Sequence, residues 1–241
     1  MRRAFFVVLL LSFMAGERRI AWPASFDFTT IDVPNSVTTN ALGINNQGQI
    51  VSNYGDVSGR PLGFLLSGGT FTTIDVPNSD GTDANGINNK GQIVGTFGDP
   101  MFHGFLLSGG TFTTIDIPDG FGTVVEEIND RGQIVGSFTD ANFEEHGLLL
   151  SEGTFTTFDF PNSTRTSSGG INNQGQIVGT YVDASGGEHG FLLSRGTFTT
   201  IDFPNSVTTN AFGINNRGQI VGLYVDASGA THGFVAEPAH P

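Results

Sequence analysis

Three observations in this 241-residue sequence predict an all-β fold, a five-bladed β-propeller with four-stranded blades. The phrase "GINNQGQIV" at Gly43 returns as "GINNKGQIV" at Gly86, "EINDRGQIV" at Glu127, "GINNQGQIV" at Gly170 and "GINNRGQIV" at Gly213. A phenylalanine opening "FTTID" or "FTTFD" recurs at Phe28, Phe71, Phe112, Phe155 and Phe198, spaced 43, 41, 43 and 43 residues, and a period just above forty is that of propeller blades. Composition agrees, since 35 glycines and 22 phenylalanines with only 14% charged residues suit short strands and tight turns better than helices.

Residues 1–24 are expected to be an export signal or an N-terminal anchor. The stretch "MRRAFFVVLLLSFMA", Met1 to Ala15, places two arginines before an apolar run of signal-peptide length, too short for a transmembrane helix. Arg18 and Arg19 beyond it suit an uncleaved anchor. Residues 25–241 are then one propeller domain, secreted or held at the cell surface.

Each repeat divides into four apolar, β-prone segments. A short "AxGI" segment is joined by Asn-Asn-x-Gly to "QIVGTYV", and because Asn and Gly accept positive φ this tetrapeptide is a hairpin turn with a bulge at its glycine. "HGFLLS" follows, and a Gly-containing turn joins it to "TFTTIDF". Copies one to four supply all four segments. The fifth stops after its third, "HGFVAE", and a lone fourth segment, Phe26 to Asp32, precedes the first copy. This permutation predicts that the N-terminal strand closes the last blade and removes the free sheet edges of the ring. Apolar residues on both faces, such as Phe155 against Phe158 and Phe160, predict blades covered on both sides by their neighbours.

The chain carries 23 acidic against 10 basic residues. Without its first segment it keeps 22 against 6, about −16, a surface that repels phosphate backbones and anionic headgroups. No nucleic-acid partner is expected, and no membrane contact beyond the possible anchor. Zero cysteines exclude disulfides, thiolate metal sites and cysteine nucleophiles.

"GINNxGQIVG" followed by "HGFLLS" resembles the HAF-type extracellular repeat of bacteria, in which a His-Ala-Phe tripeptide stands where this chain has His-Gly-Phe. The resemblance covers Phe26 to Glu237 and implies an exported bacterial propeller, with no settled activity to carry over. Leu62 replaces the histidine in copy one, and Glu127 replaces the hairpin glycine in copy three.

Strand topology puts the tight turns on one face and the longer "DVPNSVTTN" and "DASGGEH" loops on the other, where binding residues are expected. The candidates there are Asn35, Asn78, Asn162 and Asn205, the pairs Asp99 with His103, Asp140 with His146, Asp183 with His189 and Asp226 with His232, and the aromatic residues Tyr181 and Tyr224. Carboxylates and amides bind sugar hydroxyls, aromatic faces pack on sugar C–H groups, and five copies offer avidity. The Asp/His pairs equally serve to fix the hairpin loop they bracket. Histidines spread around a ring do not converge on a metal, and "DASGGE" lacks the alternating acids of calcium loops, so no cofactor is expected beyond a weak case for calcium. Glu126 and Glu127 break the repeat on an innermost strand. Strict alternation along that strand points them to opposite faces, which argues against a working catalytic pair. The expectation is a monomeric, non-catalytic binding module for an extracellular glycan. The alternative is a scaffold for a surface protein, with a propeller hydrolase behind both.

Overall fold

The computed structural model describes residues 29–238, which contain strands and turns and no helix. The expected export segment, 1–24, lies outside the described residues, as do Phe26 to Phe28 of the expected closing strand; Thr29 to Asp32 carry no strand. The twenty strands fall into five antiparallel sheets. Blade one has β1 (Thr38–Thr39) and β2 (Gly43–Ile44) both on β3 (Ile50–Gly55), then β4 (Pro61–Ser67) and β5 (Thr70–Ile74). Blade two runs β6 (Gly81–Ile87), β7 (Ile93–Gly98), β8 (Phe102–Ser108), β9 (Thr111–Ile115). Blade three runs β10 (Gly122–Ile128), β11 (Ile134–Thr139), β12 (Glu145–Ser151), β13 (Thr154–Phe158), and blade four β14 (Ser163–Ile171), β15 (Ile177–Asp183), β16 (Glu188–Ser194), β17 (Thr197–Ile201). Blade five shows β18 (Thr208–Ile214), β19 (Ile220–Val225) and β20 (Thr231–Ala236) among the described residues.

The repeated phrase builds the innermost hairpin of every blade. Asn45 N donates to Gln49 O at 3.1 Å, Gly48 N donates to Asn45 O at 3.0 Å, and Gly48 takes φ 72°, a turn closed by a glycine bulge as the residue types require. The second role of the phrase is not visible in one repeat alone. Asn45 Nδ2 donates to the carbonyl of Asn88 (3.1 Å), Asn88 to that of Asn129 (3.1 Å), Asn129 to that of Asn172 (3.0 Å) and Asn172 to that of Asn215 (3.1 Å). The next residue adds a second bond in the same direction, because Asn89, Asp130, Asn173 and Asn216 each accept the backbone N–H of the preceding blade at 2.8 to 2.9 Å. The paired asparagines therefore latch each blade to the next around the axis.

Four apolar cores lie between blades and repeat one chemistry. The valine of "QIV" in one blade, Val51, Val94, Val135 or Val178, packs on the inner strands of the next. All four valines are fully buried, and each side chain contributes about 2 kcal/mol. The fifth junction differs. Val221 of blade five is 48% exposed and Ile44 of blade one is 68% exposed, although Ile87, Ile128 and Ile171 at the equivalent position are buried. Among the described residues neither the latch nor the core is made between blades five and one. The four Asn-Asn turns and the Asn129-Asp130 turn nevertheless all border one small cavity of about 160 Å³, so the blades surround a common axis.

Candidate functional site

On the long-loop face the expected asparagines are turn residues. Asn35, Asn78, Asn162 and Asn205 take φ of 64°, 66°, 61° and 63°, with Asp119 at 65° in copy three. Asn and Asp tolerate this left-handed conformation best among side-chain-bearing residues. The following serine and threonine lock the turn, as where Ser206 Oγ and Thr209 Oγ1 lie 2.9 Å apart and Phe203 N donates to Thr209 Oγ1 at 3.0 Å.

Among the described residues three of the four loop histidines, His103, His146 and His189, are held from two sides. His146 faces Asp140 (3.7 Å), His189 faces Asp183 (3.4 Å) and His232 faces Asp226 (3.0 Å), as the sequence predicts. His103 departs from that pattern, since its Nε2 meets the backbone carbonyl of Asp99, 3.2 Å away, and not the carboxylate. The opposite nitrogen finds a carboxylate that sequence reading missed: His103 Nδ1 to Asp116 (3.0 Å), His146 to Asp159 (2.9 Å) and His189 to Asp202 (2.9 Å). These are the aspartates of "FTTID", thirteen residues downstream. Copy one, with Leu62 in place of histidine, substitutes Arg60, whose guanidinium grips Asp75 at 2.8 and 3.1 Å.

Electrostatics follow from these bonds. The Ser185 hydroxyl, with backbone N–H groups of the same loop, holds Asp183 down to about 2. Asp226 is held well below the carboxylate range by Ser228 and His232. Burial lowers His189, but its bonds to Asp202 and Asp183 outweigh this, and the net shift is upward. The aromatic rings are covered as well. Tyr181, only 7% exposed, lies between Phe160 (3.6 Å, interplanar 2°) and His189 (5.1 Å), and Tyr224 between Phe203 (3.7 Å) and His232 (4.9 Å). Faces stacked in this way are not open to a sugar ring. One cavity of about 250 Å³ does bring His189 and Asn205 together.

As for a cation, Asp183 Oδ1 of the "DASGGE" loop is engaged by Ser185 N, Ser185 Oγ and Gly187 N, each at 2.8 Å, so the loop closes on itself. Asp140, Glu144 and His146 place one ligand atom each within 4.8 Å of one another. His146 Nδ1 is spent on Asp159, and Asp140 Oδ1 accepts Asn142 N and Glu144 N.

The larger cavity is axial. About 610 Å³ is bordered mainly by the inner strands, with Leu42, Asn85, Glu126, Glu127, Gly169 and Phe212 in its wall, a volume in the range of small-molecule sites. The inner strands run from the long loops toward the Asn turns, so Arg165 and Glu188 stand nearer the long-loop end and Glu126 and Glu127 deeper. Strict alternation fails here. A β-bulge between Val125 and Glu127 inserts Glu126, and both glutamates line the same cavity. Blades two, four and five carry the same bulge at Asn85, Gly169 and Phe212.

Burial raises Glu126, with the charges of Glu145 and Asp83 adding to it. Burial pushes Glu127 up to about 7, although its own chain's Ile128 N–H donates to it at 2.9 Å. Arg165 pairs with Glu188 (3.2 Å) and Glu145 (3.7 Å), leaving Glu126 and Glu127 without an ion-pair partner among the described residues. Phe212, 50% exposed, supplies an open aromatic face.

No family model and no curated protein matches the chain. Solved structures do. AofleA from Arthrobotrys oligospora superposes with a TM-score of 0.56 at 10% identity, over 90% of this chain and 74% of that one. The β-propeller domain of the Trilobed protease from Pyrococcus furiosus, described as having an open velcro topology, gives 0.51 at 10% identity, over 83% and 81%. The Aleuria aurantia lectin, as a point mutant in complex with α-methyl-L-fucoside, gives 0.50 at 12% identity, over 80% and 71%. At such identities the likeness concerns fold alone, and it agrees with the sheets, the common axis and the repeat: the chain is a five-bladed β-propeller.

Proposed function

We propose that the chain is an exported, non-catalytic binding module that takes a neutral saccharide in the axial cavity, entered from the long-loop face. One observation carries this reading. The five inner strands carry one repeated phrase, yet the residue at the bulge of blades two to five, and at the equivalent position of blade one, differs: Leu42, Asn85, Glu126, Gly169 and Phe212. Strands that only had to build a ring would keep one small residue there. Instead an amide, a carboxylate, an open aromatic face and a gap at glycine surround a single cavity, the side-chain set that hydroxyls and sugar C–H faces require. The Aleuria aurantia lectin, in complex with α-methyl-L-fucoside, is a propeller-like neighbour that holds a saccharide. Export rests on the apolar Met1 to Ala15 segment behind its two arginines.

The axial location replaces five equivalent loop sites with one composite site, because the loop histidines, tyrosines and asparagines are engaged in holding the loops. A glycan array probed with the purified protein, in calcium and in chelator, tests the reading. Binding to a narrow class of neutral glycans that Phe212→Ala weakens by tenfold or more is the expected result. A blank array from a folded sample removes it and leaves the protein-binding scaffold.

The hydrolase reading keeps one supporting observation, a Glu127 whose pKa of about 7 suits a general acid. Turnover of a bound glycan that is lost in a Glu126→Gln, Glu127→Gln variant would establish it.

A further inference from the structure

Resting on the saccharide reading above, we propose that the ligand is a chain of several sugar units, laid along a groove that leads from the axial cavity outward between blades one and two and over Phe102. Three cavities carry the proposal because they share walls. The axial cavity and a second one of about 310 Å³ have Asn85 and Glu126 in common. That second cavity and a third of about 170 Å³, which ends at Pro61 and Asp80, have Asp83, Thr96 and Phe102 in common. A ligand of one sugar fills one of these spaces, whereas a chain fills all three.

The lining is specific to this sector of the ring. Phe102 is 61% exposed at the start of β8, where the other blades place Pro61, Glu145, Glu188 and Thr231. The loop before it is cut short. Copy two is the one with a 41-residue period, and Asp99 N bonds Met101 O where blade four closes a longer loop from Asp183 N to Gly187 O. Trimming that loop uncovers the aromatic face at the outer end of the groove.

Polar groups are free along its length. Asn85 Nδ2 donates to Val125 O at 2.8 Å, which leaves its Oδ1 open, and Glu126 has no hydrogen-bond partner among the described residues. An aromatic face at one end and acceptors spaced along an acidic channel select a neutral polyhydroxyl chain and disfavour uronate or sialate chains, which Asp80, Asp83 and Glu126 repel.

The test is calorimetric titration of the purified protein with neutral homo-oligosaccharides of one to six units (manno-, xylo-, laminari-, cello- and chito-series), with oligogalacturonates as the anionic control. For at least one neutral series, affinity is expected to rise tenfold or more between the monosaccharide and the longer members, with no binding of oligogalacturonate. Phe102→Ala should erase the gain with length and leave monosaccharide affinity and the thermal midpoint unchanged, since this ring is mostly in solvent. Affinity that is independent of length, or a length gain that survives Phe102→Ala, overturns the groove while leaving the saccharide reading intact. Absence of binding in every series at every length overturns that reading and the groove with it.

Discussion

A side-chain carbon on Gly95 would overlap the carbonyl oxygen of Asp83 across the inner hairpin of blade two, and Gly136, Gly179 and Gly222 stand in the same relation to Val124, Ser167 and Asn210. Blade one has Ser52 at this position. Its inner strand is interrupted there, with β1 ending at Thr39 and β2 starting at Gly43, and the Ser52 hydroxyl is buried without a hydrogen-bond partner among the described residues. Both coincide with a Cβ at a position where the other four blades have none.

Ser52→Gly should therefore stabilise the protein. Removing a buried unsatisfied hydroxyl and restoring the hairpin is worth about 1 to 3 kcal/mol, against about 0.5 to 1 kcal/mol for glycine's backbone entropy. The expected outcome is a thermal midpoint raised by about 2–4 °C. A lower midpoint would show that Ser52 stabilises the blade and that the strand break has another cause.

The junction between blades five and one, where the described residues make neither latch nor core, makes a second prediction. Val178→Ala, in a complete core, should cost about 2 kcal/mol, whereas Val221→Ala, at a half-exposed position, should cost less than about 0.5 kcal/mol. Urea unfolding of both variants measures the difference. Equal losses would mean that blades five and one seal in solution as tightly as the others.

Stability should also peak on the acid side of neutrality. Glu127 is raised from 4.5 to about 7, so the folded state binds more protons than the unfolded chain in that window, and stability falls as pH rises through it. The shift sets a ceiling of about 3 kcal/mol. His189, also raised, loses its contribution in the same direction. Asp183, lowered from 3.8 to about 2, acts oppositely, and its contribution is lost as pH falls through that range. Denaturation midpoints across pH should be highest near about 4–5, and Glu127→Gln should flatten the decline toward pH 8. A wild-type curve already flat between pH 5 and 8 would contradict this.

Much of the architecture is legible because the repeat encodes it. The period sets the blades, Asn-Asn-x-Gly sets the hairpin, and the two loop classes set the faces. What escapes the sequence depends on neighbours. The latch from Asn88 to Asn129 joins residues of different copies, so each repeat read singly shows a turn and nothing more. Asp202 reads as the end of a strand, and only β16 pairing with β17 brings it to His189. The bulge at Glu126 is hidden for another reason: period-two alternation has no place for an extra residue, and it therefore separates two carboxylates that share a cavity. Laying the copies side by side shows two further signals, Ser52 against four glycines and the varied series Leu42, Asn85, Glu126, Gly169, Phe212.

The central claim, one composite axial site in place of several equivalent loop sites, is tested most directly by stoichiometry. Calorimetric titration of the purified protein with its best-bound neutral oligosaccharide should give one ligand per chain, with affinity reduced tenfold or more by Phe212→Ala and unchanged by His232→Ala. Several ligands per chain, or affinity that depends on His232 and not on Phe212, would return the site to the loops.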